Sequence, residues 1–536
     1  MTPSTSPRIF VIGAGIGGLS AAIRLAAAGQ SVTLIEMQHS PGGKMRTLPG
    51  APNADGTPGP PVDAGPTVLT LRAVFDDLFA SAGARLDDHL TLIPQPRLAR
   101  HFWPDGARLD LFSDPDQSAQ AIAEFSGPKS ADQFRRFNRL AQSAYTAFAG
   151  PMIRAPRPNP ASIALAALRH PTAWPALIPG RSLQALLTAS FTDPRLRQLF
   201  GRYATYVGGL PHKSPAVLSL IWAAEAQGVW AVQGGMARLA QELAALASRL
   251  GVQILYGQSV QQITRQDGHL AEVVLSNGRA LKADRVVFNG DPAALLAGLL
   301  GPGPQQALPP TAAHPRSLSA VVWAFAACRA AGAPDLAHHN VFFTADPDTE
   351  FLPLERGDLP SAASLYLCAQ DRDMGLPPPD SAANDPNPSA ERFQIILNAP
   401  PRNTLSAKDI AQCRALIFPT LARHGLTFPP PPDTALTTPP GFATLFPGSQ
   451  GAIYGRSPHG TLASFQRPTA RTQLPGLYLA GGGAHPGAGV PMAALSGLHA
   501  AEAILTDQTS ALPWPQTAMR GGMSMVCRLT GRAPSR

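Results

Sequence analysis

Gly13, Gly15, Gly17 and Gly18 stand in the run GAGIGG, directly after the apolar Ile9, Phe10, Val11 and Ile12 and directly before an Ala/Leu-rich helical pattern. Glycines at this spacing suit a dinucleotide. Gly13 permits the tight strand-to-helix turn, Gly15 lets a pyrophosphate approach the main chain, and Gly18 lets the helix lie close on the strand. Free N–H groups and the positive end of the helix dipole favour an anion there without any basic side chain. A second β-rich run over residues 31–35 ends in Glu36, whose carboxylate can accept hydrogen bonds from ribose hydroxyls and repels a 2′-phosphate. The unit is expected to bind FAD or NAD rather than NADP. In a chain with 49 glycines the spacing alone would carry little; the flanking strand, helix and terminal acid carry the reading.

Three features favour a flavin. Gly42, Gly43 and Lys44 form a diglycine plus a base just beyond the first unit, where FAD enzymes cover the diphosphate and ribityl chain. The glycine-rich junction 481–489 leads into a second helix, whose N-terminus can stabilise negative charge at the N1/C2 carbonyl edge of a reduced isoalloxazine. No second GxGxxG unit follows, so an NAD(P)H domain is not expected and electrons must leave to another acceptor.

Residue patterns place these groups on an interleaved chain. After Glu36 comes SPGGKMRT, then a Pro/Gly-rich insertion at 49–61 expected as a surface loop or hairpin tip, then DAGPTVLT at 63–70. Helical patterns alternate with short β-like pieces such as 108–112 as far as residue 140. Residues 151–187 mix apolar clusters with Arg154, Arg157, Arg169, Trp174 and Arg181, with too many prolines for one helix and no acids. That composition suits a surface dipping into a lipid interface, or equally short helices covering a substrate cavity. A second cofactor portion is expected from about Val232, with a helix to Leu250, strands at 252–256 and 285–289, and a hairpin around Asn277 and Gly278. Strands at 320–326, 364–367 and 394–397 suit a separate sheet, and a strand at 476–480 enters the glycine junction before a helix from Pro491 to about Leu505. The expected organisation is a discontinuous FAD-binding domain of residues 1–100, 230–300 and 468–506, a substrate- and membrane-associating domain of 101–229 and 301–467, and a disordered tail from 507 to 536.

A chain of 536 residues with 44% hydrophobic content can bury a large core. Its 43 Lys and Arg against 35 Asp and Glu give +8, but only five of the cations are lysine, and no dense basic block with interleaved aromatics exists. The excess follows from an Arg/Ala/Pro-rich composition, so nucleic acid is excluded as a partner while an anionic lipid surface stays open. Cys328, Cys368, Cys413 and Cys527 form no CxxC pair and imply neither a metal site nor a disulfide framework. No apolar stretch approaches the ~18 residues of a spanning helix, and the first apolar run is already the nucleotide-binding strand. The expected location is cytoplasmic, at the periphery of the inner or photosynthetic membrane.

The motifs together resemble the phytoene desaturase family of FAD-dependent carotenoid desaturases, from about residue 8 to 503. They are VIGAGIGGLSAAIRLAAAG at 11–29, SPGGKMRT, DAGPTVLT, GVWAVQGGM at 228–236 and GLYLAGGGAHPGAGVPMAALSG at 476–497. Residues 200–230 are similar to the branch that acts on 1-hydroxy or 1-methoxy carotenoids, the hydroxyneurosporene and methoxyneurosporene dehydrogenases of the spheroidene and spirilloxanthin pathways. Lys44 stands where Arg is usual, Ala484 where Thr is frequent and Met492 where Gly often follows Pro; Lys cannot reproduce a bidentate guanidinium contact.

The resemblance implies an α/β fold, a Rossmann-like FAD-binding domain of the amine-oxidase type interleaved with a mixed-sheet and helical substrate domain. It implies introduction of a C3–C4 double bond into an acyclic carotenoid, with hydride leaving to flavin N5, a proton lost, and oxygen or a membrane quinone taking the electrons. The expected cofactor-binding set is Gly13, Gly15, Gly17, Gly18, Glu36, Gly42, Gly43, Lys44, Thr67, Val260, Gly483, Gly489, Val490 and Met492. No strong base or nucleophile is needed, so catalysis is expected to rest on orienting the polyene and excluding water.

Flavin-proximal candidates are His485, Glu225, Tyr203, Tyr206 and Arg202, each with a plainer alternative. His485 is a structural hydrogen-bonder more than a base. Glu225, among Trp222, Ala223 and Ala224, is a carboxyl of raised pKa or, as the favoured expectation, half of a helix-end salt bridge. Tyr203 and Tyr206 line a tunnel or fill a core; Arg202 receives the substrate's terminal hydroxyl or pairs with an acid. Asp63 is expected to cap main-chain amides. The rival activities are phytoene or neurosporene desaturation, carotenoid isomerisation, amine oxidation, and non-enzymatic escort of prenyl chains.

Overall fold

The apolar runs that flank the glycine turns form one five-stranded parallel sheet, in the order Gln253–Leu255, Val32–Ile35, Ile9–Ile12, Arg285–Phe288, Leu477–Leu479. The computed structural model describes residues 7–50, 59–328, 333–375 and 390–510. Parallel strands covered on both faces read as unbroken hydrophobic runs, which is how Ile9, Val11, Leu34, Val286 and Val287 come to be buried. Helix Ile16–Ala27 is sunk between this sheet and the helices Val490–Ser510 and Ala237–Arg249, so nine of its twelve residues are buried. Its contact with Val490–Ser510 is close enough that a Cβ on Gly497 would lie 2.3 Å from the Gly17 carbonyl oxygen.

A seven-stranded mixed sheet runs Leu436–Thr437, Ser319–Ala327, Glu391–Ala399, Leu365–Ala369, His339–Phe342, Arg97–Phe102, Arg108–Phe112. Only the pair His339–Phe342 and Arg97–Phe102 is parallel. Strand Arg97–Phe102 therefore begins inside the stretch that the sequence assigns to the cofactor portion, because its partner is Asn340 to Phe342 rather than a strand of the parallel sheet. Above the mixed sheet lie the long helix Pro128–Phe148 and several short ones. Prolines break residues 151–187 as expected: Pro160 opens Pro160–Arg169, Pro171 opens Pro171–Ala173, and Pro175 sits in the first turn of Trp174–Leu177.

One expectation changes at the end of the chain. The last helix continues to Ser510, past the point where a tail was expected, because Asp507 accepts from Arg471 (2.8 Å) and from the Tyr478 hydroxyl (2.8 Å). The rest of that expected tail, 511–536, lies outside the described residues, as do 51–58 of the insertion, whose ends Thr47–Leu48 and Val62–Asp63 pair antiparallel.

Candidate active site

A cavity of about 1030 Å³ opens at the carboxyl ends of the parallel strands and runs to the mixed sheet. Ligands of open α/β sheets bind at that end of the strands. The first helix begins at Gly15 with no side chain capping it, so its leading amides face the cavity. Glu36 is buried, its Oε2 accepting from the Ala14 amide (2.6 Å) and its Oε1 from Gln38 (2.8 Å), which ties the end of the second strand to the glycine turn. The Gly42 amide donates to Ala14 O (2.8 Å), and a Cβ on Gly43 would stand 3.3 Å from Gly15 Cα. The diglycine turn thus lies directly on the dinucleotide turn.

Lys44 extends from this turn, donating to Ile453 O (2.5 Å) over the Phe446 ring. Burial pulls its pKa down to about 8, against the opposing pull of Asp291. No described carboxylate lies within ion-pair distance of it. On the far wall, Gly481 N donates to Ser496 Oγ (2.7 Å), while Gly483, Gly489, Val490 and Met492 face the cavity. Arg467 braces this loop through carbonyls: Gly482 (2.6 Å), Tyr454 (3.2 Å) and Arg456 (2.8 Å); burial lowers its pKa to about 10.

Of the expected cofactor residues, Gly13, Gly15, Gly17, Glu36, Gly42, Gly43, Lys44, Thr67, Val260, Gly483, Gly489, Val490 and Met492 all border this one cavity. Gly18 does not. Its place is structural, since a Cβ there would lie 2.1 Å from the Gly13 carbonyl oxygen. Gly15 faces a neighbour that the motif does not announce, Asn289, whose Nδ2 would meet a Gly15 Cβ at 2.9 Å and donates to Gly13 O (3.1 Å). Asn289 Oδ1 is buried with no hydrogen-bond partner among the described residues. The signal for Asn289 and for Asp291 was their position after the apolar run 285–288, where a strand of this fold ends on its ligand.

The candidates His485, Glu225, Tyr206 and Arg202 also border the cavity. His485 Nε2 is 2.8 Å from Ala155 O and the ring stacks on His499 at 5.8 Å, so it fastens the glycine loop to residues 149–155; burial lowers its pKa. Glu225 forms no salt bridge among the described residues, contrary to expectation. Tyr203 donates to its Oε2 in a short contact and Tyr206 to its Oε1 at 3.4 Å, because the turn Arg202–Val207 folds both tyrosines over helix Leu220–Ala226. Burial raises the Glu225 pKa, with Tyr203, Arg202 and Tyr206 opposing. Asp63 is the cap expected, accepting from Met236 N (2.6 Å) and Ala237 N (3.3 Å) at the start of helix Ala237–Arg249.

The sequence did not single out Tyr366 or Glu350. Tyr366 OH lies 2.6 Å from Thr67 Oγ1 and 2.7 Å from His339 Nδ1. Glu350 accepts from Ser364 N (3.0 Å) and Asn398 Nδ2 (2.8 Å), and burial raises its pKa. Nor did spacing reveal that His338, His339 and Cys368 bring ligand atoms within 4.8 Å of one another, since Cys368 meets His339 only across a strand pair.

The donor set fits FAD. Uncapped helix amides and an ammonium without a carboxylate partner suit a dianionic diphosphate, and glycines with main chain or Asn289 against them leave the cradle open. The profile of the family described as flavin containing amine oxidoreductase matches residues 16–368 and 428–505. A hydroxyneurosporene desaturase of Cereibacter sphaeroides is 58% identical over 94% of this chain and 98% of its own length, and one of Rhodobacter capsulatus is 53% identical over 94% and 98%. The solved putrescine oxidase bound to putrescine has the same fold, with a TM-score of 0.57 and 16% identity over 94% of this chain and 100% of that one. The chain is an FAD-dependent oxidoreductase that belongs to the flavin-containing amine oxidoreductase family, within its phytoene desaturase group.

Proposed function

We propose that this enzyme desaturates a 1-hydroxylated acyclic carotenoid at C3–C4, with 1-hydroxyneurosporene as substrate. The observation that carries the reading is similarity along nearly the whole chain to relatives named hydroxyneurosporene desaturases. The cavity supports it, for beyond the glycine cradle its walls turn apolar at Val217, Leu218, Leu220, Ile221, Val341 and Phe343. FAD supplies a two-electron acceptor able to take a hydride. The chain's part is to hold the polyene along those apolar walls and to keep water from the reacting carbons. The second hydrogen leaves as a proton, and oxygen or a membrane quinone would serve as the final acceptor of the two electrons.

The substrate dissolves only in lipid, and one exposed patch suits a lipid surface. Leu168 is 70% exposed, Trp174 52% and Leu462 62%, with Leu165, Ile178 and Phe465 beside them in the sequence. Trp174 Nε1 donates to Ala167 O (2.7 Å) and Gly180 N to Thr461 Oγ1 (3.0 Å), which join the three segments. Ala463 and Ser464, between the exposed Leu462 and Phe465, border the cavity. Arg154, Arg157 and Arg169 are exposed nearby and suit anionic headgroups. No described helix is long and apolar enough to cross a membrane. The proposed attachment is peripheral, with the cavity mouth at the lipid.

The test offers FAD-loaded protein 1-hydroxyneurosporene, neurosporene and phytoene in liposomes and follows loss of two mass units. Selective turnover of 1-hydroxyneurosporene is expected; turnover of phytoene alone refutes the reading.

A further inference from the structure

A polyene offers no hydrogen bond, yet one wall of the apolar part of the cavity is strongly polar. Arg202, Tyr206 and Glu225 border it together. Arg202 Nη2 donates to the Tyr206 hydroxyl (2.8 Å), which donates in turn to Glu225 Oε1 over a long 3.4 Å. Glu225 Oε2 is taken by Tyr203. Two valences are left open. Arg202 Nε and Nη1 have no hydrogen-bond partner among the described residues, and no described carboxylate forms an ion pair with the guanidinium. Glu225 Oε1 holds only the one stretched contact.

Keeping a guanidinium and a carboxyl at an apolar cavity costs free energy unless a ligand completes their hydrogen bonds. A hydrocarbon completes none. A hydroxyl completes both, because its oxygen accepts and its hydrogen donates. We propose, on the basis of the reading in the preceding subsection, that Arg202 and Glu225 are the receptor for the substrate's C1 hydroxyl: an Arg202 N–H donates to the hydroxyl oxygen, and Glu225 Oε1 accepts its hydrogen.

The receptor is continuous with the cofactor side of the cavity. Arg202 and Tyr206 lie close enough to Tyr366 to bias its ionisation, and Tyr366 bonds Thr67 on the segment that follows the glycine-lysine turn. The hydroxyl is only three bonds from C3. Anchoring it sets the register of the whole polyene and selects one C–C pair among many of similar reactivity. The same geometry separates a hydroxyl from its methyl ether. The ether keeps an acceptor for Arg202 but presents a methyl group to Glu225.

The test uses FAD-loaded protein with substrates in liposomes. KM and kcat for 1-hydroxyneurosporene and its 1-methyl ether are measured beside competitive inhibition by neurosporene, for the wild type, Arg202→Met, Arg202→Lys and Glu225→Gln, with phytoene offered to the wild type. A hydrogen bond to a charged group predicts that Arg202→Met lowers kcat/KM for the hydroxylated substrate by about 10- to 100-fold while neurosporene inhibits within about twofold of wild type. Arg202→Lys recovers part of the loss. Glu225→Gln brings an N–H in place of an acceptor, so the preference for hydroxyl over methyl ether falls by about tenfold. Equal weakening of the hydroxylated and plain polyenes by Arg202→Met, or no change in either, overturns the proposal. Should Arg202→Met shed FAD, an unchanged hydroxyl-to-ether preference in Glu225→Gln overturns it instead. A wild type that leaves 1-hydroxyneurosporene untouched and converts phytoene refutes the functional reading itself; a wild type that converts 1-hydroxyneurosporene with variants that do not discriminate refutes only the receptor.

Discussion

Replacing Gly18 and Gly15 with alanine, one at a time, separates a glycine the fold requires from one the cofactor requires. At Gly18 a Cβ would stand 2.1 Å from the Gly13 carbonyl oxygen. A relaxed C···O contact is ~3.3 Å, so the helix would have to retreat from its strand by roughly 1.2 Å. It has nowhere to go, because on its other side the Gly17 carbonyl already presses on Gly497. Overpacking costs about 1–3 kcal/mol, and with main chain on both sides the upper end applies. Exchanging a helical glycine for alanine returns about 1 kcal/mol. The net loss of about 2 kcal/mol lowers the thermal midpoint of a chain this large by ~2 °C. At Gly15 the nearest atom is the free end of the Asn289 side chain, 2.9 Å away, which can swing aside toward the cavity. Gly15→Ala is therefore expected to hold its apoprotein midpoint within ~1 °C of wild type and to bind FAD at least about tenfold more weakly. The assay is differential scanning fluorimetry of the stripped protein, then FAD titration followed by quenching of flavin fluorescence. A Gly18→Ala protein as stable as wild type, or a Gly15→Ala protein with undiminished FAD affinity, refutes the assignment.

Lys44 gives a pH signature: its folded pKa of about 8 lies below the ordinary 10.5, so the unfolded chain binds the extra proton and the penalty is fully present below pH 8. Apoprotein stability should rise as pH climbs from about 8 to 10.5, by up to about 3 kcal/mol relative to Lys44→Met, in denaturant titrations at each pH. FAD affinity should fall over the same range as the ammonium loses its charge, and Lys44→Met should flatten that fall. Arg316 grips Asp291 with both carboxylate oxygens (2.5 and 3.1 Å), each side chain 6% exposed, and Asp291 also caps helix Pro292–Leu296. Arg316→Met leaves that carboxylate buried without its ion-pair partner, at a cost of about 3–5 kcal/mol in urea unfolding. Leu168→Glu with Trp174→Glu should abolish co-sedimentation with anionic liposomes while leaving FAD content unchanged; retained binding would place the lipid contact elsewhere.

Local chemistry was legible because it closes over short spans. The strand, glycine turn, helix and acid of residues 9–36 form a unit whose meaning depends on spacing alone, and the glycine junction before Val490 is of the same kind. The strand runs at 320–326, 364–367 and 394–397 were readable from β-branched and aromatic residues, though not the partners each would find. The tail boundary was misplaced because Asp507 is held by Arg471 and Tyr478, residues that local composition does not connect to it.

By itself the sequence determined the cofactor class, the family and the parallel sheet, since glycine spacing and apolar runs act through the main chain within a few tens of residues. Tertiary structure alone decided what each polar side chain meets. Glu225 lost its expected salt bridge to two tyrosines brought over it by a tight turn. Asn289 came to rest on Gly15 and Gly13, and Tyr366 on Thr67, across separations of more than 270 residues. Pairings at that distance carry no periodicity to read; they exist only once two sheets have packed and enclosed a common cavity.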